Sequence, residues 1–469
     1  MGKNNNEESF ILKSIREGYN LTEDYFTVKV GKATTNKEIM TVLSLEQLTG
    51  ARLKNFYVES DKVRDAHTIA SLKELLMDAL VPYNKRLFSG FTGSGKTTEL
   101  IQLYVQMKKN FNAIIFSAWN RLNLNEVSIK SLLFEILEDV LNYINMNNLV
   151  DESDDLLRDI IENITGWCSE TRIIKKEEKD KIKSKGMGAG IVFLKELFFK
   201  AKIETRFSEI DSIESIRREA RKIKDLIFEC NKIFDYLEAK TGKGTLIIID
   251  DLEKMLFPAA RDFFLRDSAF IRDFRCKMVL TIPVELVYHP DFSIIRNVFG
   301  EAEVLPMIKV KDKEGNPHQP GIDCLTEILG RRVELSLFEN QCYLEAVKYS
   351  GGAIRELFSI VQRAALIEES DNKITVPSMQ KSIKYHINIF SARVQEHGGE
   401  NRIKFQEYLD VLFDIYDGNK IAPLKTPALL DLLRTLAVMR FNGEGFYDTH
   451  PLLDNFIKAY KEKKQKDGK

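Results

Sequence analysis

The chain has 469 residues, with 69 Lys and Arg against 70 Asp and Glu and a formal net charge of −1. This length predicts about two to four domains, each large enough to bury a core of its own. With 44% hydrophobic and 30% charged residues, the composition is typical of a globular protein and excludes disordered and collagen-like classes.

Targeting and redox signals are absent from the sequence. No apolar run approaches the roughly 18 residues that a membrane span requires. The N-terminus MGKNNNEESF has neither the apolar segment of a secretory signal nor the Ser or Thr of a myristoylation pattern. The five cysteines form no Cys-x-x-Cys motif and have no paired His, which predicts free thiols in a reducing cytoplasm. They are Cys168, Cys230, Cys276, Cys324 and Cys342.

The first two thirds of the chain alternate helices with strands. After a polar start, periodic apolar residues predict a helix over 65–80 that Pro82 ends. A glycine cluster begins at Gly90, and further elements follow a charged interruption at 151–243. Apolar strands that alternate with helices predict a parallel sheet covered on both faces. The predicted helices are 97–109, 127–143 and 215–240, and the predicted strands are 112–117, 246–249, 277–282 and 303–309.

The last third reads as helical, with one hairpin. Several helices are predicted within 322–365, and others at 378–390, 403–416 and 427–438, with a linker at 396–400. Asn442-Gly443 between short apolar runs predicts a hairpin with strands at 439–441 and 446–448. A final helix is expected over 452–460, followed by a Lys-rich tail that frays.

Residues 90–97 fit the pattern G-x-x-x-x-G-K-[ST] in full, after a short strand and at the start of a helix. The glycines let successive N–H groups point inward at phosphates, and the helix N-terminus adds its positive end. Lys96 is expected to reach the β- and γ-phosphates, and the Thr97 hydroxyl to bind Mg²⁺. The predicted ATP-binding set is Gly90, Phe91, Thr92, Gly93, Ser94, Gly95, Lys96, Thr97 and Thr98.

A second motif follows the apolar strand at 246–249. A buried strand that ends in two carboxylates predicts Asp250 as a magnesium ligand and Asp251 as the residue that polarises or positions water. Glu253 is a further candidate for positioning the water. Turn chemistry after a strand is the alternative interpretation of this Asp-Asp pair.

These motifs together resemble the P-loop ATPases of the AAA+/STAND superfamily, over roughly residues 65–451. The resemblance rests on GFTGSGKTTEL (90–100), TLIIIDDLEK (245–254), VLTIPVELVY (279–288), SGGAIRELF (350–358) and RFNGEGFYDTHPLL (440–453). It implies an α/β P-loop fold with an inserted helical region, an all-α lid and a winged-helix-like end. The implied divisions are an N-terminal segment 1–64, a core 65–320 with an insertion at about 151–243, a lid 321–397, a winged-helix-like domain 400–460 and a tail 461–469.

The resemblance also implies roles for residues beyond the two motifs. Thr281 matches the polar residue that senses the γ-phosphate, and packing of a β-branched strand residue is the alternative. Arg355 resembles a lid arginine that contacts the nucleotide. His450 matches a histidine that contacts bound ADP, with a capping or packing histidine as the alternative. Arg331 and Arg332 would be arginine fingers toward a neighbouring copy, or solvated surface residues.

The distribution of charge along the chain indicates the kind of partner that the protein contacts. Residues 170–243 carry 19 Lys and Arg against 14 Asp and Glu, and 400–460 carry 7 against 9. A wing that approaches DNA should be basic, so we expect a protein contact at the insertion rather than DNA binding. The function predicted is an ATP-hydrolysing switch that acts through an effector protein or by homo-oligomerisation, as in bacterial signalling or antiviral defence. A DNA-associated initiator or loader is the alternative.

Overall fold

The computed structural model describes residues 31–64, 67–151, 154–170, 213–368, 373–394, 403–421, 423–441 and 445–467. Side chains are described for these residues except 169–170, 213–218 and 467. Three predictions lie outside the described residues: the polar start, the linker at 396–400 and the turn at 442–444. Residues 171–212 of the predicted insertion also lie outside them.

A five-stranded parallel sheet forms the centre of the molecule, as predicted. Its spatial order is β2-β3-β4-β1-β5, so β4 lies between β1 and β3. The strands are β1 (Lys85–Gly90), β2 (Asn112–Ser117), β3 (Thr245–Asp250), β4 (Lys277–Thr281) and β5 (Glu303–Leu305). Strand β5 is shorter than predicted, and residues 306–309 continue without strand pairing.

Helices cover both faces of the sheet. Side chains alternate along a strand, so Leu246 and Ile248 pack into one hydrophobic core while Ile247 and Ile249 pack into the other. Burial on both faces explains why β3 reads as a continuous apolar run rather than as an alternating one.

The helices described between residues 31 and 300 include the four predicted ones, which are α3, α4, α6 and α8 in the list that follows. They are α1 (Asn36–Val42), α2 (Gly50–Phe56), α3 (Thr68–Met77), α4 (Lys96–Met107), α5 (Ala118–Arg121), α6 (Ile129–Met146), α7 (Asp155–Glu170), α8 (Ile213–Thr241), α9 (Phe257–Arg266), α10 (Ser268–Arg272), α11 (Val284–Tyr288) and α12 (Phe292–Phe299). In the insertion, α7 packs on α8, and the Trp167 indole N–H donates to Lys222 O at 2.8 Å. Ile223, Ile227 and Phe234 of α8 are buried on the predicted apolar side.

The remaining helices lie on the side of the first core. They are α13 (Gln319–Gly330), α14 (Tyr343–Tyr349), α15 (Ile354–Ile367), α16 (Val376–Arg393), α17 (Phe405–Tyr416), α18 (Pro427–Arg434) and α19 (Asp454–Asp467). The hairpin prediction is confirmed: β6 (Val438–Phe441) and β7 (Phe446–Thr449) pair antiparallel.

Two predicted helix boundaries in this region are wrong. The helix predicted over 427–438 ends at Arg434, because Leu436 has a φ of 65° that no right-handed helix accommodates. The last helix begins at Asp454 and extends through the Lys-rich tail to Asp467. Lys461 and Lys464 pair with Asp417 and Asp410 of the neighbouring α17, so the tail gains partners instead of fraying.

Across the described ranges, no helix is both long enough and apolar enough to cross a bilayer. All five cysteines are buried as free thiols, as predicted. Burial raises the pKa of Cys168 and Cys276 to about 12, so neither is a reactive thiolate near neutral pH.

Candidate functional site

The loop between β1 and α4 is a phosphate-binding loop in its geometry as well as in its sequence. Gly93 and Gly95 have φ angles of 80° and 98°, which side chains with a Cβ rarely adopt. Gly90 lies so close to β5 that a Cβ there would approach Leu305 O to 2.7 Å. These glycines therefore let the backbone turn tightly, and α4 begins at Lys96 with its N-terminus at the loop.

The loop carbonyls find donors in distant parts of the chain. Ile354 N–H, at the start of α15, donates to Gly93 O at 3.0 Å. The Arg64 guanidinium donates to Ser94 O at 2.7 Å. The Lys96 ammonium folds back onto Gly90 O and Phe91 O at 2.9 and 3.2 Å. Phe91 itself is a core residue, whereas Thr92 is exposed at the rim of the cavity.

Arg64 is a buried brace beneath the loop that the sequence does not reveal. Besides Ser94 O, its guanidinium donates to Pro306 O, after β5, and to the Ser60 hydroxyl. Glu99 of α4 is also buried and accepts hydrogen bonds from Tyr57 and Ser60. Burial lowers the pKa of Arg64 and raises the pKa of Glu99. The charge of Glu99 opposes the first shift and the charge of Arg64 opposes the second, so each residue favours the charged form of the other. Residues of the predicted N-terminal segment thus support the loop directly.

Three carboxylates gather where β3 ends. Asp250 and Asp251 are buried and Glu253 is nearly so, and their nearest oxygens lie within 4.8 Å of one another. Asp251 adopts a φ of 68°, which turns the chain into a short 3₁₀ segment, Leu252–Lys254. Its two oxygens accept from the Ser117 hydroxyl at 2.5 Å and pair with the Lys254 ammonium at 2.7 Å. Ser117, at the end of β2, is a member of the site that sequence motifs do not identify.

Glu253 connects this cluster to the loop. One of its oxygens lies 3.5 Å from the Lys96 ammonium. The other, Oε2, is buried without a hydrogen-bond partner among the described residues. An unpaired buried carboxylate oxygen is costly, so it is a natural position for a bound water or cation.

Thr281 lies between the loop and the carboxylates because β4 lies between β1 and β3. It is completely buried. Its hydroxyl accepts from Leu252 N–H at 2.9 Å and donates to Ile249 O at 3.4 Å. Thr281 therefore anchors the turn that carries Asp251, which is a more specific role than packing.

Arg355 lies at the rim of the loop. It occupies the first turn of α15 and is exposed, and a Cβ on Gly93 would approach the Arg355 Cβ to 2.9 Å. This close packing brings the lid helix against the phosphate-binding loop. Arg355 therefore lies beside the loop, and its contact with a nucleotide stays a prediction.

His450 lies away from the loop. Its ring stacks on Phe390 with centroids 4.2 Å apart. Nδ1 accepts from Leu452 N–H at 3.3 Å, and Nε2 lies 3.2 Å from Ser350 O. Burial lowers the pKa of His450 to about 3, so the ring is neutral. The structure corrects the assignment of His450 to the nucleotide and places it as a capping and packing residue.

The two arginines proposed as fingers differ. Arg332 is buried between the Phe56 and Phe358 rings, and it donates to Phe56 O and Ile328 O. Burial and two neighbouring arginines lower its pKa to about 9. Because Arg332 is buried within its own chain, it is not placed to reach a neighbouring copy. Arg331 is partly exposed and pairs with Glu327 at 2.6 Å.

A cavity of about 1430 Å³ connects these groups. Pockets for small molecules ordinarily have about 300–1,000 Å³, so this one is large enough for a nucleotide and more. It is lined by the loop, including Thr97 and Thr98, by Asp251 and Glu253, by Arg355, and by Asp431 and Arg434 of α18. Glu285 of α11 is also in its wall. Burial raises the pKa of Glu285 to about 7, and the charges of Arg434 and Lys96 oppose that rise.

The donor set suits a magnesium nucleotide. Carboxylate and hydroxyl oxygens are the ligands that Mg²⁺ prefers. Asp250 belongs to the carboxylate cluster at the end of β3, and Thr97 lies in the first turn of α4 and lines the cavity. Among the described residues, the buried Glu253 Oε2 has no hydrogen-bond partner, and Glu253 lines the cavity, so a bound group can satisfy this oxygen.

A parallel sheet with this loop after β1 and these carboxylates after β3 is a P-loop NTPase fold. No protein-family model matches the sequence, and no curated protein is similar to it. Among solved structures, it is similar to a Walker-type ATPase of Pyrococcus abyssi, with 12% identity, 89% of this chain and 99% of that chain covered, and a TM-score of 0.43.

Two further solved structures resemble the chain. Cdc6p from Pyrobaculum aerophilum has 11% identity, with 91% of this chain and 98% of that chain covered and a TM-score of 0.36. Drosophila ORC bound to DNA has 11% identity, 91% and 85% coverage, and a TM-score of 0.39. The fold assignment rests on the sheet and the loop rather than on similarities of this size.

Replacing Arg64 with Met keeps a side chain of similar length but removes the donors of Ser94 O and Pro306 O. An unsatisfied buried polar group costs about 1–3 kcal/mol, so we expect the free energy of unfolding in urea to fall by about 2–5 kcal/mol. Arg296→Met is the matched control, because Arg296 is half exposed and pairs with an exposed Glu301. It should change stability by less than about 0.5 kcal/mol. An Arg64→Met protein as stable as the control would show that Arg64 is no brace.

Glu285→Gln should stabilise the protein at alkaline pH. The folded pKa, about 7, is above the ordinary 4.5, so ionising Glu285 costs stability as pH rises between these values. Removing the charge should add about 3 kcal/mol to the free energy of unfolding at pH 8 and little at pH 5. Urea unfolding at both pH values measures this, with the exposed Glu301→Gln as control. Equal effects at the two pH values would contradict the assigned burial cost.

Proposed function

We propose that this protein binds ATP with Mg²⁺ and hydrolyses it. The observation that carries the proposal is the single cavity in which the phosphate-binding loop, the carboxylates after β3 and arginines from two later regions line one space. Such a combination of inward N–H groups, carboxylates and cations matches the needs of phosphoryl transfer, where charge stabilisation and positioning do most of the work.

The roles follow from position. The loop N–H groups and Lys96 would hold the β- and γ-phosphates, and Lys96 would exchange its contacts with Gly90 O and Phe91 O for phosphate oxygens. Thr97 and Asp250 would hold Mg²⁺, which neutralises developing charge on the phosphates when bound. Arg355 would approach the phosphates from the lid.

Two carboxylates compete for the position of the attacking water. Both oxygens of Asp251 are already engaged, by Ser117 and Lys254. Glu253 keeps one buried oxygen without a partner among the described residues. This difference favours Glu253 as the residue that positions the water, with Asp251 and Thr281 shaping the turn that presents it.

The wider proposal is a nucleotide-dependent switch of the AAA+/STAND type. Helices α15 and α18, from the lid and the C-terminal region, both line the cavity, so hydrolysis there can change how these regions sit on the core. The output would pass to an effector protein or to assembly of several copies, in signalling or antiviral defence.

Sizing the protein with ADP and with a non-hydrolysable ATP analogue tests the second route, assembly of several copies. An identical size in both states would exclude nucleotide-controlled assembly.

A DNA-associated initiator is the second candidate. The C-terminal region has two helices, a hairpin and a further helix in the order of a winged helix. Asp448 of the hairpin is buried and paired with Lys311 and Lys420, so it does not itself present negative charge to a duplex.

Measuring binding to duplex DNA at two salt concentrations distinguishes the switch from the initiator. A strong, salt-sensitive association that stimulates ATP turnover would favour the initiator.

Lys96→Ala and Asp250→Ala should each lower ATP turnover at least about a hundredfold, because each removes a charge that acts on the transferring phosphoryl group. Phosphate release under saturating Mg²⁺ and ATP measures the effect. Lys108→Ala, at the exposed C-cap of α4, and Asp262→Ala, at an exposed position of α9, are matched controls and should keep wild-type turnover. Turnover that persists in both site variants would refute ATP hydrolysis at this site.

A further inference from the structure

Arg434 brings a positive charge from the C-terminal region into the cavity. It is the last residue of α18, and its side chain is about half exposed toward the cavity that Lys96 and Glu253 line. Helix α18 packs against α11 of the core, which places this arginine at the boundary between the two regions. No sequence motif identifies it, since it stands at the end of an ordinary amphipathic helix.

Asp431 holds the Arg434 guanidinium in place without using all of its N–H groups. Its Nε and Nη2 groups donate to Asp431 Oδ1 at 3.0 and 2.6 Å. The other Asp431 oxygen accepts from the Tyr408 hydroxyl of α17 at 2.7 Å. Within the described ranges, no hydrogen bond involves Nη1, so two N–H groups remain for an anion.

The charges of both Arg434 and Lys96 act on the Glu285 carboxyl. This buried carboxyl is stabilised in the charged form by both cations and destabilised by Asp431. Arg434, Lys96 and Glu285 line the same cavity, and both cations act on the Glu285 carboxyl. A further anion placed there would compete with Glu285 for both.

We propose that Arg434 binds the γ-phosphate of ATP and so makes the position of the C-terminal region depend on whether ATP or ADP is bound. The inference rests on the proposed nucleotide site. An arginine suits this role because its planar fork can keep two bonds to Asp431 while its remaining N–H groups contact phosphate oxygens. ADP lacks the group that Arg434 contacts, so only ATP holds α18 against the core through this residue.

The hydrogen-bonded chain from Tyr408 through Asp431 to Arg434 carries the coupling. It joins α17 to Arg434 of α18, which lines the cavity. By thermodynamic linkage, anything that displaces α18 from the core weakens ATP by the same factor that ATP stabilises the docked position. A partner that binds the C-terminal region can thereby control nucleotide affinity.

The test measures dissociation constants of ADP and of a non-hydrolysable ATP analogue, both with Mg²⁺, for the full chain and its variants. Arg434→Gln should weaken the ATP analogue by about tenfold or more, since hydrogen bonds to charged groups contribute about 1.5–3 kcal/mol, and should leave ADP within about twofold. Arg434→Lys keeps the charge and should give an intermediate loss. Lys464→Ala, an exposed cation of the same region outside the cavity, is the control and should change neither constant.

The outcomes separate this inference from the proposed function. If the wild-type chain binds both nucleotides and Arg434→Gln binds both as the wild type does, Arg434 does not read the γ-phosphate. An equal loss for ADP and the ATP analogue would also overturn the inference. If the wild-type chain binds neither nucleotide, the proposed function itself fails. Unfolding curves of Arg434→Gln and Arg434→Lys confirm that each variant is folded before its constants are compared.

Discussion

The phosphate-binding loop keeps its shape only if its outward-facing carbonyls find donors elsewhere. Turning the N–H groups of Gly93 and its neighbours toward a phosphate turns carbonyl oxygens away from it, into the protein. There Ile354 N–H satisfies Gly93 O and the Arg64 guanidinium satisfies Ser94 O. Because an unsatisfied buried carbonyl is costly, the loop holds its binding shape through residues from well before and well after it in the chain.

This constraint makes the site a meeting point of four parts of the molecule. The segment before the core supplies Arg64, the sheet supplies the carboxylates, and the lid supplies Ile354 and Arg355. The C-terminal region supplies Arg434. A change in what occupies the cavity can therefore change the contacts of regions far apart in sequence. Contacts to one cavity from regions this far apart in sequence are what the proposed switch requires.

The sequence predicts the local parts of this arrangement well. The loop and the Asp250-Asp251 pair are recognisable because their chemistry depends on neighbours in sequence. The strands are recognisable because burial on both faces makes them continuously apolar, and β2 has the bounds that were predicted. The hairpin is recognisable because Asn-Gly sets its turn.

The side chains that complete the site could not be predicted in this way. Each of these side chains is placed only by tertiary packing and stands in an unremarkable local pattern. Glu285 and Arg434 line the cavity, Ser117 contacts Asp251, and Arg64 lies beneath the loop. His450 illustrates the opposite error, since a family pattern pointed to the nucleotide while packing on Phe390 places it elsewhere. The helix predicted through residue 438 failed because a positive φ at Leu436 is a backbone choice that apolar periodicity does not encode.

The central claim is that the cavity binds a magnesium nucleotide through the loop. Calorimetric titration of the wild-type chain with ATP, with and without Mg²⁺, tests it most directly. We expect saturable binding of one nucleotide per chain, tighter with Mg²⁺ because Asp250 and Thr97 would then share the ion with the phosphates. No saturable binding at millimolar ATP, or binding that Mg²⁺ does not strengthen, would contradict it.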